Sequence, residues 1–446
     1  MLQLVSLLFF CHTSPSHAQV AVSENRSWDQ RARLVADEPE ASLITGKEGK
    51  AAPKLADKPG APAKRLKVFI LAGQSNMQGH ASISTFDSLA DDPKTAPLLK
   101  GMLGSDGKPR VCEKVWISSV GCLGDAYSDL TEAKGKLTAG FGAPENKIGP
   151  EFTFGLTMEK LRNEPVLIIK TSWGGRSLHT DFRPPSAGPF VLAKETQELW
   201  DKNPKGAHGI PKAEDRPKFY AEKADATGVY YREMIAHVRK VLKDIKRVVP
   251  DYDEKKGYEL AGFVWFQGFN DYVDGGVYPE QNKPGGYGLY ADLLGHFIRD
   301  VRKDLSAPKL PFVVGVMGID GMRGNKNSPM MHFREAQRKP ATLNEFKGNV
   351  LSVETAPFWD DDLEKLHERM ESYWPKVDAK VAEQLKKDPK ADSWENKMKL
   401  MAENFTPEEW KRLRGVSNGG YHYLGAAKIM APIGKAFAEA LIGIKR

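Results

Sequence analysis

Apolar runs alternate with amphipathic helical patterns along most of this 446-residue chain, and this alternation strongly limits the folds it can adopt. The runs typical of buried strands are LKVFILAG (66–73), PVLIIKTS (165–172), ELAGFVWFQG (259–268), LPFVVGVMG (310–318) and NVLSVETA (349–356). Apolar residues at helical spacing lie between and after these runs, at 151–163, 229–245, 287–305 and 423–443. Such alternation forms a mostly parallel sheet covered on both faces. We therefore predict an α/β fold, a three-layer α/β/α sandwich with a mostly parallel central sheet.

Three stretches interrupt the alternation, at about 81–148, 177–225 and 357–417. The last of them contains a charged pattern that is typical of a helix. We interpret all three as insertions at loop positions of a single domain, residues 66–446, where they can shape a substrate cleft.

The first 65 residues have a different composition. Residues 4–11 are apolar and are followed by the small-residue triplet SHA (16–18), a pattern typical of signal peptidase cleavage. We predict that residues 1–18 are a signal peptide and that the protein is exported, periplasmic or secreted; an N-terminal buried strand is the alternative. Residues 19–65 are rich in proline, alanine, lysine and glycine, which predicts a disordered linker.

Composition and short motifs narrow the classes of partner. The 65 basic and 58 acidic residues are interspersed, so the net charge of +7 gives no support to a nucleic-acid partner. No apolar run approaches the ~20 residues that a membrane span needs. No CxxC or HExxH motif is present, and we expect neither a metal nor a cofactor. Cys112 and Cys122, which remain once the leader is cut, form one local disulfide or stay as unpaired thiols.

A serine follows the first buried run directly, in LAGQSNMQGH (71–80). Reactive groups of parallel sheets lie beyond the carboxyl ends of the strands, so this strand can present the hydroxyl and the N–H of Ser75. A serine is a poor nucleophile unless a base removes its proton. The histidine that fits best is His422, in a glycine-rich loop before the last helical pattern. His80 and His179 follow glycine-rich turns and are further candidates for lining a pocket.

Two other strand ends carry residues suited to holding an oxyanion. Gly174 and Gly175 follow the second run, and glycine lets a backbone N–H approach a ligand closely. Gln267 lies at the end of the third run, and a buried amide there needs hydrogen-bond partners. It either donates to a developing oxyanion or only braces the neighbouring loops.

The stretches GQSNMQGH, SWGGRSL, WFQGFND and GYHYLG together resemble the SGNH/GDSL hydrolase superfamily, most closely its branch of sialate O-acetylesterases and carbohydrate esterase family 6. The resemblance runs from about residue 67 to the C-terminus and leaves out the insertions. It implies that Ser75 is the nucleophile and His422 the base. It also implies an oxyanion hole made by the N–H of Ser75, a Gly174 or Gly175 amide and the side chain of Gln267.

The chain departs from the family pattern at two positions. The Asp that the family often places three residues before the histidine is Gly419 here, preceded by Asn418, and the Glu of the third block is Phe269. Glu354, at the end of the last apolar run, is our first candidate for the acid that orients the imidazole. The alternatives are Asp360, Asp361, Asp271, or no acid at all, with a backbone carbonyl holding the ring.

Residues beside these blocks are candidate contacts for the substrate. Gln74 and Asn76 flank the serine, Glu151 lies in GPEF, which also resembles a family stretch, and Asp271 either binds substrate or braces a loop. Aromatic residues beside the blocks either stack on a sugar ring or pack in the core: Trp173, Phe266, Phe269 and Tyr272.

The resemblance implies a serine esterase that removes O-acetyl groups from an acetylated polysaccharide or glycan through an acyl-enzyme, without metal or cofactor. One alternative is a catalytically inactive carbohydrate-binding protein on the same scaffold, which the missing Asp motivates. A second alternative is an esterase of lipids or small esters.

Overall fold

The computed structural model describes residues 65–122, 130–162, 164–207, 210–323 and 327–444. The predicted signal peptide (1–18) lies outside these ranges, and so does the predicted linker (19–65) except for its last residue. Within the described ranges, no helix combines the length and the apolar character that crossing a bilayer requires.

A seven-stranded sheet forms the centre of the molecule. In chain order, the strands of the described residues, inside and outside this sheet, are β1 (Leu66–Gly73), β2 (Ala81–Ser82), β3 (Val115–Val120), β4 (Glu132–Lys136), β5 (Lys147–Ile148), β6 (Val166–Ser172), β7 (Tyr258–Phe266), β8 (Phe312–Val316) and β9 (Val350–Glu354). The sheet has the order β4-β3-β6-β1-β7-β8-β9, and β2 pairs separately with β5. Only the edge strand β4 is antiparallel to its neighbour in the sheet. The predicted fold class is confirmed.

Helices flank this sheet and also make up most of the stretch 357–417. They are α1 (Ser75–Gln78), α2 (Ala96–Met102), α3 (Pro150–Leu161), α4 (Lys194–Asp201), α5 (Arg216–Ala226), α6 (Val229–Lys243), α7 (Phe269–Tyr272), α8 (Gly288–Asp304), α9 (Pro329–Arg338), α10 (Asp361–Leu385), α11 (Trp394–Ala402), α12 (Pro407–Leu413) and α13 (Ala427–Gly443). Residues 68–72 of β1 are each at most 1 % exposed. Because successive side chains of a strand point to opposite faces, both faces of the central strand are buried.

The carboxyl ends of three neighbouring strands lie side by side at the middle of the sheet. Gly73 of β1 pairs with Ser172 of β6 on one side and with Phe266 of β7 on the other. Packing requires glycine here, because a Cβ on residue 73 would overlap the carbonyl oxygen of Phe266. The loops that begin at this edge carry the GQSN, SWGG and FQGF stretches, so the fold brings the first three sequence blocks together.

The stretch 81–148 is not only a loop insertion, because it contains two strands of the main sheet. β3 runs parallel to β6, and β4 pairs with β3 at the edge. Ser118 and Ser119 break the apolar pattern of β3, which is why the apolar runs did not predict this strand. Both serines are buried and bonded internally, Ser118 Oγ with His237 Nε2 at 2.9 Å and Ser119 Oγ with Cys122 Sγ at 3.6 Å.

The two other stretches are largely helical. Stretch 177–225 contains α4 and most of α5. Within 357–417, helices α10, α11 and α12 pack around an apolar cluster of their own, separate from the main core: Leu366, Met370, Trp374, Val377, Val381, Leu400, Met401 and Leu413.

Cys112 and Cys122 are both buried, and both are free thiols. Of the two alternatives that the sequence left open, the structure shows the unpaired cysteines. Burial raises the pKa of the Cys112 thiol to about 12, so this cysteine remains protonated and unreactive at neutral pH.

The packing of α13 on α3 predicts different effects for two glycines of one helix. A Cβ at Gly434 would overlap the carbonyl oxygen of Pro150, whereas a Cβ at Gly443 meets no atom within 4 Å. We expect Gly434→Ala to lower the free energy of unfolding by about 1–3 kcal/mol. Gly443→Ala, its matched control, should change it by less than about 0.5 kcal/mol. Urea unfolding measures both, and equal effects would contradict the packing described here.

Candidate active site

Ser75 is the first residue of α1, directly beyond the central strand. The side chain of Gln74 caps this helix, since its Oε1 accepts the N–H of Asn76 at 3.2 Å. Its Nε2 donates to Ser75 Oγ at 3.3 Å. Because Gln74 is the donor in that contact, the hydroxyl proton of Ser75 remains available to a base. Ser75 is 9 % exposed, whereas Gln74 is completely buried and therefore lies under the site instead of contacting substrate.

His422 lies in a tight turn, residues 420–425. Tyr423 and Leu424 in this turn have φ of 55° and 58°, a left-handed conformation that is unfavourable for residues other than glycine. The Tyr423 hydroxyl holds the turn in place, since it accepts the N–H of Gly318 at 2.9 Å and contacts Thr355 Oγ1 at 2.8 Å. The turn packs against α1 and β2. The structure therefore brings the histidine block to the edge of the sheet where Ser75 lies.

Asn418 orients the imidazole. Its Oδ1 lies 2.9 Å from His422 Nδ1 and also accepts the N–H of Gly419 at 2.8 Å. The second contact identifies the atom as the amide oxygen, which can only accept, so Nδ1 of His422 carries the hydrogen. Nε2 then presents a lone pair and has no hydrogen-bond partner among the described residues. This is the tautomer that a base acting on Ser75 requires.

No carboxylate of the described residues contacts His422. Glu354, the first candidate acid, is held by Arg338 through two hydrogen bonds of 2.6 and 2.8 Å. Asp360 caps α10 and pairs with Lys428, and Asp361 pairs with Arg323. These contacts do not support any of the three as the acid. The sequence reasoning passed over Asn418, because this residue is uncharged and lies one position away from the family spacing.

Gln267 and Asp271 brace the loop after β6. Both N–H groups of the Gln267 amide are used, donating to Asp271 Oδ2 at 2.6 Å and to the carbonyl oxygen of Arg176 at 3.1 Å. Asp271 also accepts the N–H groups of Leu178 and His179, and it is 0 % exposed. Burial raises the pKa of Asp271, against these donors, which lower it. Of the alternatives for each residue, the contacts support loop bracing and not an oxyanion or substrate contact.

Backbone N–H groups remain for an oxyanion. Those of Ser75, Gly174 and Gly175 donate to no acceptor among the described residues. Gly174 is buried in the turn after β6, next to the end of β1, and Gly175 is exposed with φ of 73°. The arrangement supports the predicted donors Ser75 and Gly174 and leaves Gly175 on the outer side.

Glu151 lies behind the site and does not line it. It is 0 % exposed, as is its partner Lys170, whose Nζ lies 2.7 Å from Glu151 Oε2. Lys170 also donates to the carbonyl oxygen of Gln78 at 2.7 Å and thus fixes the last residue of α1. Burial raises the pKa of Glu151, and Lys170 lowers it. Asn76 is also buried, and its Oδ1 has no partner among the described residues.

Burial keeps the His422 imidazole neutral. Burial and, to a smaller extent, the ammonium group of Lys147 together lower the pKa of His422 to about 3. The ring is therefore unprotonated at neutral pH, the form in which Nε2 has the lone pair that a base needs.

Aromatic rings extend outward from His422. The Tyr421 ring lies 4.5 Å from the His422 ring at 65°, and Phe269 lies 5.9 Å from Tyr421. Tyr272 follows at 6.3 Å from Phe269, and all three rings are partly exposed. Of the four aromatic candidates, Trp173 and Phe266 are core residues, at 0 % and 2 % exposure.

Solved structures that resemble this one include the following three. XAC1771, a carbohydrate acetylesterase from Xanthomonas citri, is 15% identical with a TM-score of 0.37, and the match covers 66% of this chain and 51% of that one. A protein of Arabidopsis thaliana is 16% identical with a TM-score of 0.34, covering 65% and 85%. NanS is 14% identical with a TM-score of 0.34, covering 66% and 79%. This chain thus spans about half the length of XAC1771.

A family model decides the assignment. No curated protein matches the chain. Residues 65–384 match the model described as carbohydrate esterase, sialic acid-specific acetylesterase, and this range contains the Ser75, Gly174 and Gln267 blocks. The resemblance drawn from the sequence is confirmed at the level of the family: this chain belongs to the carbohydrate esterase family of sialic acid-specific acetylesterases.

Proposed function

We propose that this protein is a serine esterase that removes O-acetyl groups from carbohydrates through an acyl-enzyme. The observation that carries the proposal is the hydrogen bond between Asn418 and His422, at the edge of the sheet where Ser75 lies. This hydrogen bond leaves Nε2 of His422 with a free lone pair, and we propose this nitrogen as the base for Ser75. Sugar binding alone would not require this set of three residues.

In the first half of the reaction, Nε2 of His422 accepts the hydroxyl proton of Ser75 while Oγ attacks the carbonyl carbon of the acetyl ester. The N–H groups of Ser75 and Gly174 stabilise the oxyanion that forms. The imidazolium then gives its proton to the departing sugar oxygen, and the acetyl group remains on Ser75. In the second half, water gives a proton to His422 and attacks the acetyl carbon, which releases acetate and returns the proton to Ser75 Oγ.

The leaving alcohol is the sugar, and it must lie near the residue that protonates it. The Tyr421 ring contacts His422, and the rings of Phe269 and Tyr272 continue the row from Tyr421. Aromatic faces pack well on the C–H surface of a sugar ring. We propose that these rings bind the sugar, while the acetyl group faces the oxyanion donors.

Asn418 removes the main argument for an inactive protein. That alternative rested on the missing Asp, and an amide oxygen now occupies the position on Nδ1 that the carboxylate would have. Asn418 orients the ring but supplies no negative charge to stabilise the imidazolium. The enzyme therefore works with a weaker base than a Ser-His-Asp triad would provide.

Export is part of the proposal and rests on the pattern of residues 1–18 alone. Expression in a bacterial host followed by N-terminal sequencing of the secreted or periplasmic protein tests it. A mature protein that begins at Gln19 is expected. An uncleaved protein confined to the cytoplasm would contradict it.

Ser75→Ala should abolish the esterase. We expect release of acetate from the best substrate among acetylated xylan, pectin, sialate and algal glycans to fall by a factor on the order of 10³ or more. Ser372→Ala, which removes an exposed hydroxyl from α10, is the matched control and should retain full activity. Equal rates for wild type and Ser75→Ala would remove the proposed function.

Two variants of Asn418 should distinguish the effect of orienting the His422 ring from the effect of placing a negative charge beside it. Asn418→Ala removes the acceptor on Nδ1, and kcat should fall by about 10²–10⁴. Asn418→Asp adds a carboxylate that favours the imidazolium and so raises the pKa of His422 from about 3. Since only neutral His422 is a base, the acidic limb of kcat/KM should move to higher pH in Asn418→Asp. An unchanged limb would show that Asn418 does not act on His422.

Variants of Phe269 test whether its ring binds the sugar. Phe269→Ala should raise KM for an acetylated glycan about three- to tenfold, the loss of one aromatic contact of roughly 0.5–1.5 kcal/mol. Phe269→Leu keeps apolar bulk without a flat ring and should show most of the same loss. Hydrolysis of ethyl acetate, which carries no sugar, should be nearly unchanged in both. A parallel loss on both esters would place Phe269 outside the sugar site.

A further inference from the structure

A second imidazole lies flat against the catalytic one. The rings of His80 and His422 are parallel within 6°, and their centroids are 3.9 Å apart. His80 is 8 % exposed, and neither of its ring nitrogens has a hydrogen-bond partner among the described residues. Buried polar side chains are nearly always hydrogen-bonded, so two unpaired nitrogens in one ring call for an explanation that the reaction described above does not supply.

The backbone around His80 is tied to the chain that carries His422. The hydroxyl of Ser417 contacts the carbonyl oxygen of His80 at 3.3 Å, and it accepts the N–H of Ser82 at 3.1 Å. Ser417 directly precedes Asn418, the residue that holds His422 Nδ1. Hydrogen bonds therefore tie the backbone beside the His80 ring to the segment that carries Asn418 and His422, although 342 residues separate the two histidines in sequence.

The hydrogen bond from Nδ1 leaves one motion of the ring unrestrained. A carbonyl oxygen accepts over a broad range of directions, so Asn418 alone permits the His422 ring to tilt about this bond. A flat ring packed face to face removes that tilt. Tyr421 lies against His422 at 65° and cannot define the same plane.

We propose that His80 is a positioning residue of the hydrolytic reaction: its ring fixes the plane of the His422 imidazole, so that Nε2 points to Ser75. The inference rests on His422 being the base of the proposed esterase. It adds a residue that touches neither substrate nor the reacting atoms and acts only through His422.

Burial and, to a smaller extent, the charges around the pair keep both rings neutral. Lys147 of β5 lowers the pKa of both histidines, and Lys170 of β6, itself paired with Glu151 of α3, lowers that of His80. Burial is the larger cause for each ring. Neutral rings can stack closely, whereas two imidazolium rings would repel each other, so this environment preserves the contact through the pH range of catalysis.

Two variants with side chains of similar size test whether residue 80 acts through a flat ring or only by filling space. His80→Phe keeps a flat face beside His422, and His80→Leu fills the space without one. With the full chain and p-nitrophenyl acetate, we expect His80→Leu to lower kcat about 10- to 100-fold with KM within twofold, since small misplacement of a catalytic group costs this much. His80→Phe should recover kcat to within about threefold of wild type. Equal kcat in wild type and His80→Leu, or equal losses in both variants, would overturn the proposal.

An NMR measurement on the wild-type protein tests the same contact without depending on whether a variant folds. In wild-type protein labelled at histidine, the ring protons of His422 should show an upfield ring-current shift from His80, and their assignment comes from His422→Asn. The shift should persist in His80→Phe and disappear in His80→Leu. An unshifted His422 ring in wild type would overturn the proposal. Because the spectrum does not depend on turnover, this result stays separate from the Ser75→Ala test of the function itself.

Discussion

The buried ammonium group of Lys170 is the constraint on which the geometry of the site depends. Removing an ammonium from water costs several kcal/mol unless the charge is paired and hydrogen-bonded. Here Nζ has three partners at 2.7 Å each, the carbonyl oxygens of Gln78 and Phe141 and the carboxylate of Glu151. These belong to α1, to the segment between β4 and β5, and to α3, so one charge holds three parts of the chain against β6. Displacing α1, and Ser75 with it, would remove one of the three acceptors of that buried charge.

The histidine side of the site depends on an unfavourable backbone that tertiary contacts stabilise. Positive φ at Tyr423 and Leu424 costs on the order of 1–3 kcal/mol for each residue. The Tyr423 hydroxyl offsets this strain through Gly318 and Thr355, which follow β8 and β9. His422 is thereby held from the far strands of the sheet and directed back to the end of β1. Strain of this kind is common where a side chain must be presented at one place.

The residue that holds the His422 imidazole could not be identified from sequence patterns. Glu354 stands at a strand end, as a triad acid often does, yet Arg338 occupies both of its oxygens. Asn418 holds the imidazole, although it is uncharged and one position away from the family spacing. Similarly, strand β3 was not predicted from the apolar runs because it contains Ser118, whose hydrogen-bonding group is paired with His237 inside the protein. In each case the residue is explained by a hydrogen-bond partner that only the folded structure identifies.

By itself the sequence determined the fold class, the family and the places of Ser75 and His422, because buried apolar runs and glycine turns are local patterns that can be read in one dimension. Only the tertiary structure decided what the polar residues around Ser75 and His422 do. Gln267 and Asp271 brace a loop, Glu151 neutralises Lys170, and His80 lies against His422. The physical reason is that a buried polar group must find its partners wherever the folded chain places them, and those partners are set by packing and not by sequence distance.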